Sequence, residues 1–294
     1  MKFMKRFTPM FWLISLSAAL LVFGCEKSTT DPGDDTSLSA TQDAAESMAS
    51  DLAEDNGGIT DQIADVMEIA TTTGLDASSK TDGTQQVSKT YDPATGIWTL
   101  TLERERGSTV GAAYAYIRRV YQYQFRNAQG QPQQYYITGA DTAASISFDI
   151  VEGVGRHRNF RISQELTSLS GSFLATGTNT DWITLNGNYQ RSAVDTLTTR
   201  QAVRTLDHSI ALTLTDVRGP RGLRGSRGNI SEMISGTISG TYTATATFTS
   251  GSGYRERNIT RTFLIDLSNG TASMEVDGKT YVSDLESGEL VENN

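Results

Sequence analysis

Residues 234–248 read ISGTISGTYTATATF, and this stretch decides the fold. Ser235, Thr237, Ser239, Thr241, Thr243, Thr245 and Thr247 alternate with a second set that includes Ile234, Ile238, Tyr242 and Phe248. Successive strand side chains point to opposite faces, so a period of two describes a strand with one hydroxylated face and one apolar face. At about 3.3 Å per residue the stretch would run near 50 Å, well beyond a usual strand. Such a strand must bend or twist, and Gly236 and Gly240 are the expected bend points.

The same period extends in both directions. Downstream, 259–267, 271–276 and 280–284 alternate, and Asn269-Gly270 and Asp277-Gly278 join them. Both dipeptides favour the positive backbone angles of two-residue hairpins. Upstream, 97–106, 113–125, 145–151, 160–163, 166–175, 182–190 and 210–217 read as strands, with longer connections at 92–96 and 127–130. No helical stretch separates them, so parallel crossover units are not expected. Residues 86–294 are therefore expected to form a mainly β domain: a large antiparallel meander sheet, curved or partly closed into a barrel. A transmembrane barrel would need an apolar band on every strand. Arg104 and Arg106 continue the face of Leu100 and Leu102, which speaks against one.

Residues 40–75 change to a helical period. Ala44, Ala45, Met48, Ala49, Leu52 and Ala53 recur three and four apart, and Asn56-Gly57-Gly58 is a stop. Thr60-Asp61 then offers an N-cap and a first-turn acid, ahead of Ile63, Val66, Met67 and Ala70. The expectation is an N-terminal α-helical hairpin with a narrow apolar stripe on each helix, docked on a face or mouth of the sheet.

Ahead of the hairpin the chain begins with Lys2, Lys5 and Arg6, an apolar run over 10–23, then Gly24 and the sole cysteine, Cys25. The run is too short to span a bilayer, which takes about 20 residues, and has the layout of a secretory signal. The junction Leu21-Val22-Phe23-Gly24-Cys25 resembles the lipobox of bacterial lipoprotein precursors. The resemblance covers residues 1–25 and implies a signal peptide over 1–24 and lipidation of Cys25, which becomes the first residue of a membrane-anchored protein. Glu26 stands where Asp would signal inner-membrane retention, so the resemblance points to the outer membrane and leaves open which side the body faces. Residues 25–39 then read as the lipidated cysteine and a flexible polar tether, too poor in apolar residues to fold alone.

Formal charge is 25 − 34 = −9, and removing three basic signal residues gives 22 − 34 = −12. Such a body is repelled by nucleic acid. With the only thiol spent on lipid, no disulfide, Cys nucleophile or Cys-based metal site is available.

The candidate constellations are few. Asp207-His208-Ser209 holds triad residue types, but neighbours on a strand face opposite ways and no Gly-x-Ser-x-Gly elbow exists. A hydrolase would need long-range partners. Gly153-Val154-Gly155-Arg156-His157-Arg158 lacks the third glycine and the following helix of a dinucleotide loop, and reads as a hairpin turn. Glu103 and Glu105 alternate with Arg104 and Arg106 in a surface pattern. Asp55-Asn56-Gly57-Gly58 lacks the alternating acids and terminal Glu of a calcium loop. The segment 218–228 repeats glycine every third residue, and Arg218, Arg221, Arg224 and Arg227 would align along one edge of an extended chain, able to grip phosphates or acidic sugars. The Ser/Thr row over 235–249 reads as a solvated sheet face, with ice or glycan binding as the sharper use. Tyr114, Tyr116, Tyr121, Tyr123, Tyr135 and Tyr136 could line a sugar or lipid pocket or form cross-strand pairs. The expectation is a non-enzymatic envelope module without cofactor or metal. It meets the membrane through Cys25 and takes a glycan, lipid or envelope-protein ligand. The alternative is a carrier with a hydrophobic cavity.

Overall fold

Two hairpin dipeptides set the register at the end of the chain. Asn269 and Gly270 both adopt positive φ (50° and 81°), as do Asp277 and Gly278 (51° and 72°), the geometry that matches the twist of flanking strands. The structure, a computed structural model, describes residues 35–70, 83–111, 113–160, 162–198, 203–221, 230–250 and 253–291. Its helices are α1 (Asp35–Leu52), α2 (Ile59–Ile69) and the single turn α3 (Ile230–Met233). The long early strands are β1 (Gly83–Asp92), β2 (Ile97–Gly107) and β3 (Tyr114–Arg126), followed by the short β4 (Pro132–Gln133), β5 (Ile137–Thr138) and β6 (Asp141–Thr142). Then come β7 (Ser145–Arg158), β8 (Ile162–Thr176), β9 (Trp182–Thr198), β10 (Val203–Pro220), β11 (Ser235–Ser250) and β12 (Gly253–Ser268). The chain closes with β13 (Thr271–Val276), β14 (Lys279–Asp284) and β15 (Leu290–Val291).

These strands form one antiparallel meander of 13 strands in the order β1-β2-β3-β7-β8-β9-β10-β11-β12-β13-β14-β15, with β4 paired to β3 and β5-β6 forming a separate pair. The sheet is not a closed barrel. Extra residues at Val151, Thr167 and Asp216 shift the register and bend it. Gly236, with φ +135°, faces the bulge at Asp216, where a Cβ would lie 2.7 Å from the Asp216 carbonyl oxygen.

One rung binds the first half of the sheet. Tyr91, Trp98, Tyr123, Phe148 and Phe173 pair in register across β1, β2, β3, β7 and β8. Successive ring centroids lie 5.0, 6.4, 6.3 and 6.4 Å apart. Pairs of this kind contribute about 0.5–1.5 kcal/mol each beyond their buried area. The rung ends against Gly187 on β9, where an added Cβ would stand 2.7 Å from the Phe173 ring.

The helical hairpin is more deeply placed than the sequence suggests. From Ala40 onward every α1 residue except Gln42 and Glu46 is buried, and in α2 every residue except Glu68. A single apolar stripe would leave the acidic faces in water. Instead the remaining faces meet strand cations, so the hairpin fills the inner face of the curved sheet. Gly57 turns the chain between the helices with φ +68°. At Gly58 a Cβ would come within 2.3 Å of the Asp51 carbonyl oxygen. Between the end of α1 and Gly57, the amides of Glu54 and Asp55 donate to the carbonyls of Leu285 and Glu286 beyond β14, tying the hairpin near the far edge of the sheet.

Several local expectations change. Residues 153–158 are the end of β7, not a turn. Gly153 and Gly155 take inward positions where a Cβ would strike Leu169 and Ile117. The turn lies at Asn159-Phe160, so Phe160 precedes β8, which is described from Ile162. Helix α1 begins at Asp35, inside the stretch expected to be tether; Asp34-Asp35-Thr36-Ser37 has the composition of a helix start. The first strand opens at Gly83. Gly74, the expected end of the second helix, lies outside the described residues. Tyr121 and Tyr123 are core side chains packed on Phe148 rather than the lining of a pocket.

Candidate functional site

Polar residues occur at inward strand positions where the alternation calls for apolar ones. They are Arg104 on β2, Arg119 on β3, His157 on β7, Gln164 on β8, Arg191 and Asp195 on β9, and His208 on β10, all buried. Buried charges must be paired or they neutralise, and the partners come from the hairpin.

Asp51 of α1 is stitched to three adjacent strands. Its Oδ1 lies 2.8 Å from Arg191 Nε and accepts from Gln164 Nε2 at 2.9 Å, while Oδ2 lies 2.8 Å from His208 Nε2. Gln164 Nε2 also donates to Asp195 Oδ1 at 2.7 Å, and its Oε1 accepts from Arg191 Nη2. One turn earlier on α1, Ser47 Oγ donates to Asp195 Oδ2 at 2.5 Å and lies 3.5 Å from His208 Nδ1. Ser50 Oγ lies 3.1 Å from His157 Nε2.

A second cluster fastens α2. Asp61 and Asp65 lie one turn apart and share Arg104 and Arg119. Arg119 Nη2 also donates to the Gly57 carbonyl at 2.5 Å, and the Tyr121 hydroxyl donates to Asp65 Oδ2 at 2.6 Å. At the start of the hairpin, Asp43 accepts from Arg204 on β10 (2.6 Å) and Arg257 on β12 (2.7 Å).

Ser47, His208 and Asp51 reproduce the connectivity of a Ser-His-Asp triad through long-range contacts that Asp207 and Ser209 do not make. The chemistry differs. A general base must be neutral near working pH. Burial opposes charge on His208, but the carboxylates of Asp51 and Asp195 outweigh it and raise its pKa to about 9. The imidazole therefore carries its proton and cannot take one from Ser47, whose hydroxyl is committed to Asp195. Burial raises Asp195 and outweighs the attraction of His208. For Asp51 burial is overcome by Arg191 and His208, which hold it low. His157 behaves in the opposite way to His208: burial and the Arg191 charge depress it to about 3, so it is neutral. Ser47 has no solvent exposure (0%), so a substrate has no path to it in this conformation.

A cavity of about 160 Å³ opens beside His157, lined by Thr109, Tyr114, Arg156, Arg158 and Ser163. Its two arginines are engaged: Arg156 lies over the Tyr114 ring at 5.4 Å, and Arg158 donates to the carbonyls of Thr109 and Gly111. Among the described residues no group of three or more His, Cys, Asp and Glu is arranged to hold a metal ion, and no helix is long and apolar enough to cross a membrane.

Of the residues singled out in sequence, Cys25, Arg224 and Arg227 lie outside the described residues. Arg218 is exposed near the end of β10, in register with Thr184 and Ser235. Arg221 lies over the Tyr136 ring at 5.5 Å, and its amide donates to the Asp181 carbonyl. Glu103 pairs with Arg118 at 3.4 Å on the outer face. The Ser/Thr row of β11 lies in an outer hydroxyl and amide lattice, in which Thr237 bonds Asp266 and Thr245 bonds Asn258. The chain matches no family model, no curated protein and no solved structure.

Proposed function

We propose that this chain is a lipid-anchored protein of the bacterial envelope whose body acts as a non-enzymatic binding module. The observation that carries the reading is the course of α1. The helix that follows the anchor segment runs inside the sheet and is tied by Asp43 to two strands and by Asp51 to three. Tension on Cys25 is borne by these interior ion pairs and not by an edge strand. Two or more acyl chains on Cys25 would hold such a body stably on a bilayer.

The inner face, where a carrier would hold its cargo, is occupied by α1 and α2. Ligands therefore meet the body at its surfaces. The rim formed by the β5-β6 pair and the start of β9 offers suitable chemistry: Ile137 and Trp182 are exposed there, and Arg221 leads into the arginine-glycine segment. Aromatic faces and guanidinium groups together suit an anionic glycan of the envelope.

The test is fractionation with mass spectrometry. The native chain is expected in the membrane fraction with an acylated Cys25 as first residue, and Cys25→Ser in the soluble fraction. An unmodified Cys25, or a Cys25→Ser chain that stays in the membrane after a salt wash, would overturn the anchored reading.

A further inference from the structure

We infer that Asn269, in the two-residue turn between β12 and β13, is a site of spontaneous modification. It deamidates through its own backbone, and the isoaspartate formed there loosens the contact that ties the helical hairpin near the far edge of the sheet.

The chemistry needs only an asparagine side chain, the amide that follows it and water. The backbone nitrogen of the next residue attacks Cγ, and the Cγ–Nδ2 bond breaks. Ammonia leaves with the proton that the attacking nitrogen gives up, and a five-membered succinimide remains. Water then opens the ring at either carbonyl. One opening gives aspartate. The other gives isoaspartate, whose backbone runs through the side chain and is longer by a methylene. Ring closure is intramolecular, so its rate follows how freely the nitrogen can reach Cγ. A following glycine, with no Cβ, crowds that approach least.

The chain holds three Asn-Gly pairs, at 56–57, 186–187 and 269–270, and the fold restrains two of them. At the first, the attacking Gly57 amide donates to the Glu54 carbonyl at 3.1 Å, and the leaving Asn56 Nδ2 donates to Ser50 Oγ at 3.2 Å. The second lies inside β9, where Gly187 pairs with Phe173 on β8 and Leu214 on β10. Asn186 Oδ1 also accepts from the Asp216 amide at 2.8 Å. Asn269 has neither restraint. It is exposed, its side chain makes no hydrogen bond among the described residues, and Gly270 enters the backbone network there as an acceptor alone. Rotation about the Asn269 backbone that brings the Gly270 nitrogen to Cγ breaks no bond of either group, so it needs only a local opening of the turn.

The position of the turn gives the product a structural effect. The Gly270 carbonyl accepts from the Leu285 amide at 2.8 Å, and the Leu285 carbonyl accepts in turn from the Glu54 amide at 2.8 Å, just beyond α1. The aspartate product fits this arrangement, because Asp277-Gly278 already adopts the same turn, with φ of 51° and 72° against 50° and 81°. Isoaspartate does not fit. Ser268 and Thr271 face each other across a turn of two residues, and an added methylene changes the loop length that fixes their register. The Gly270 carbonyl is then displaced from Leu285, which is wholly buried and carries the contact to the hairpin.

The experiment ages the full mature chain in mildly alkaline buffer, folded and in urea, and maps its peptides by mass. Deamidation adds one mass unit, and an isoaspartyl methyltransferase marks the longer backbone. In the folded chain the peptide with Asn269 is expected to convert severalfold faster than those with Asn56 and Asn186, whereas in urea the three should convert at similar rates. Equal rates in the folded chain, or a slower Asn269, would overturn the site. Hydrogen exchange reads the consequence. Amide protection at Leu285 and Glu54 should fall severalfold in the isoaspartyl fraction and hold in Asn269→Asp, which carries the same charge on a normal backbone. Unchanged protection in the isoaspartyl fraction, or an equal fall in Asn269→Asp, would overturn the link to the hairpin.

Discussion

His208 Nε2 lies 2.8 Å from Asp51 Oδ2, and both side chains are sealed from water between α1 and the inner face of the sheet. Removing one partner of a buried pair leaves an uncompensated charge, which costs about 3–5 kcal/mol. Asp51→Asn is expected to fall in that range, because Arg191 loses the same carboxylate. The double variant Asp51→Asn/His208→Gln should cost less than the sum of its single changes. Urea unfolding of the four chains measures the coupling directly.

The two buried histidines predict opposite pH dependences. An unfolded histidine titrates near 6.5, whereas folded His157 is depressed to about 3. Between these values the unfolded chain binds the extra proton, so stability falls as pH drops, by about 1.4 kcal/mol per pH unit. Folded His208 is raised to about 9, so its contribution is complete below pH 6.5 and is lost as pH rises towards 9. Asp195, raised to about 6, favours the folded chain below pH 3.8 and loses that effect as pH rises to 6, partly offsetting His157. Denaturant titrations across pH should show His157→Gln flattening the acid limb and His208→Gln flattening the alkaline limb.

The turn between the helices separates steric from conformational cost. Gly57 needs only its positive φ, and Gly57→Ala is expected to cost about 1 kcal/mol. Gly58→Ala would drive a methyl into the Asp51 and Ala53 carbonyls, at 2.3 and 2.6 Å, and should cost about 1–3 kcal/mol or more. Thermal unfolding of the two variants is expected to rank them in that order.

Ser47 should be inert towards fluorophosphonate probes at neutral pH, because His208 is protonated and the hydroxyl has no solvent path. Labelling of the peptide containing Ser47, lost in His208→Gln, would show that the triad connectivity is used for chemistry.

Replacing Arg218, Arg221, Arg224 and Arg227 together with Gln should weaken binding of an anionic envelope glycan, such as lipopolysaccharide. The loss should shrink as salt rises. Unchanged binding by titration at low salt would remove this segment from the ligand surface.

Much of the sheet was legible because period two and hairpin dipeptides are local signals. The strands around Asn269-Gly270 and Asp277-Gly278 fall where the sequence places them. The stretch 153–158 was not, because glycine marks both turns and inward positions short of space, and only Leu169 and Ile117 on neighbouring strands decide between the two. The polar interior was hidden for a related reason. Asp51 on an amphipathic helix looks like a solvent-facing acid, and its partners Gln164, Arg191 and His208 lie 113, 140 and 157 positions away. A trace was present in the strands: Arg119, Arg191 and His208 break the apolar alternation at inward positions, and three such breaks against the acids of one hairpin would have suggested the pairing.

The acidic hairpin also bears on how the chain reaches this state. Asp43 meets Arg257 across 214 positions, so α1 cannot be enclosed until β12 exists. Loop closures of this length make folding slow. An all-apolar plug would spend that interval as an aggregation hazard, whereas helices carrying Asp43, Asp51, Asp61 and Asp65 remain soluble while they wait. The carboxylates that hold the finished interior together thus also keep its central element in solution until the sheet has formed around it.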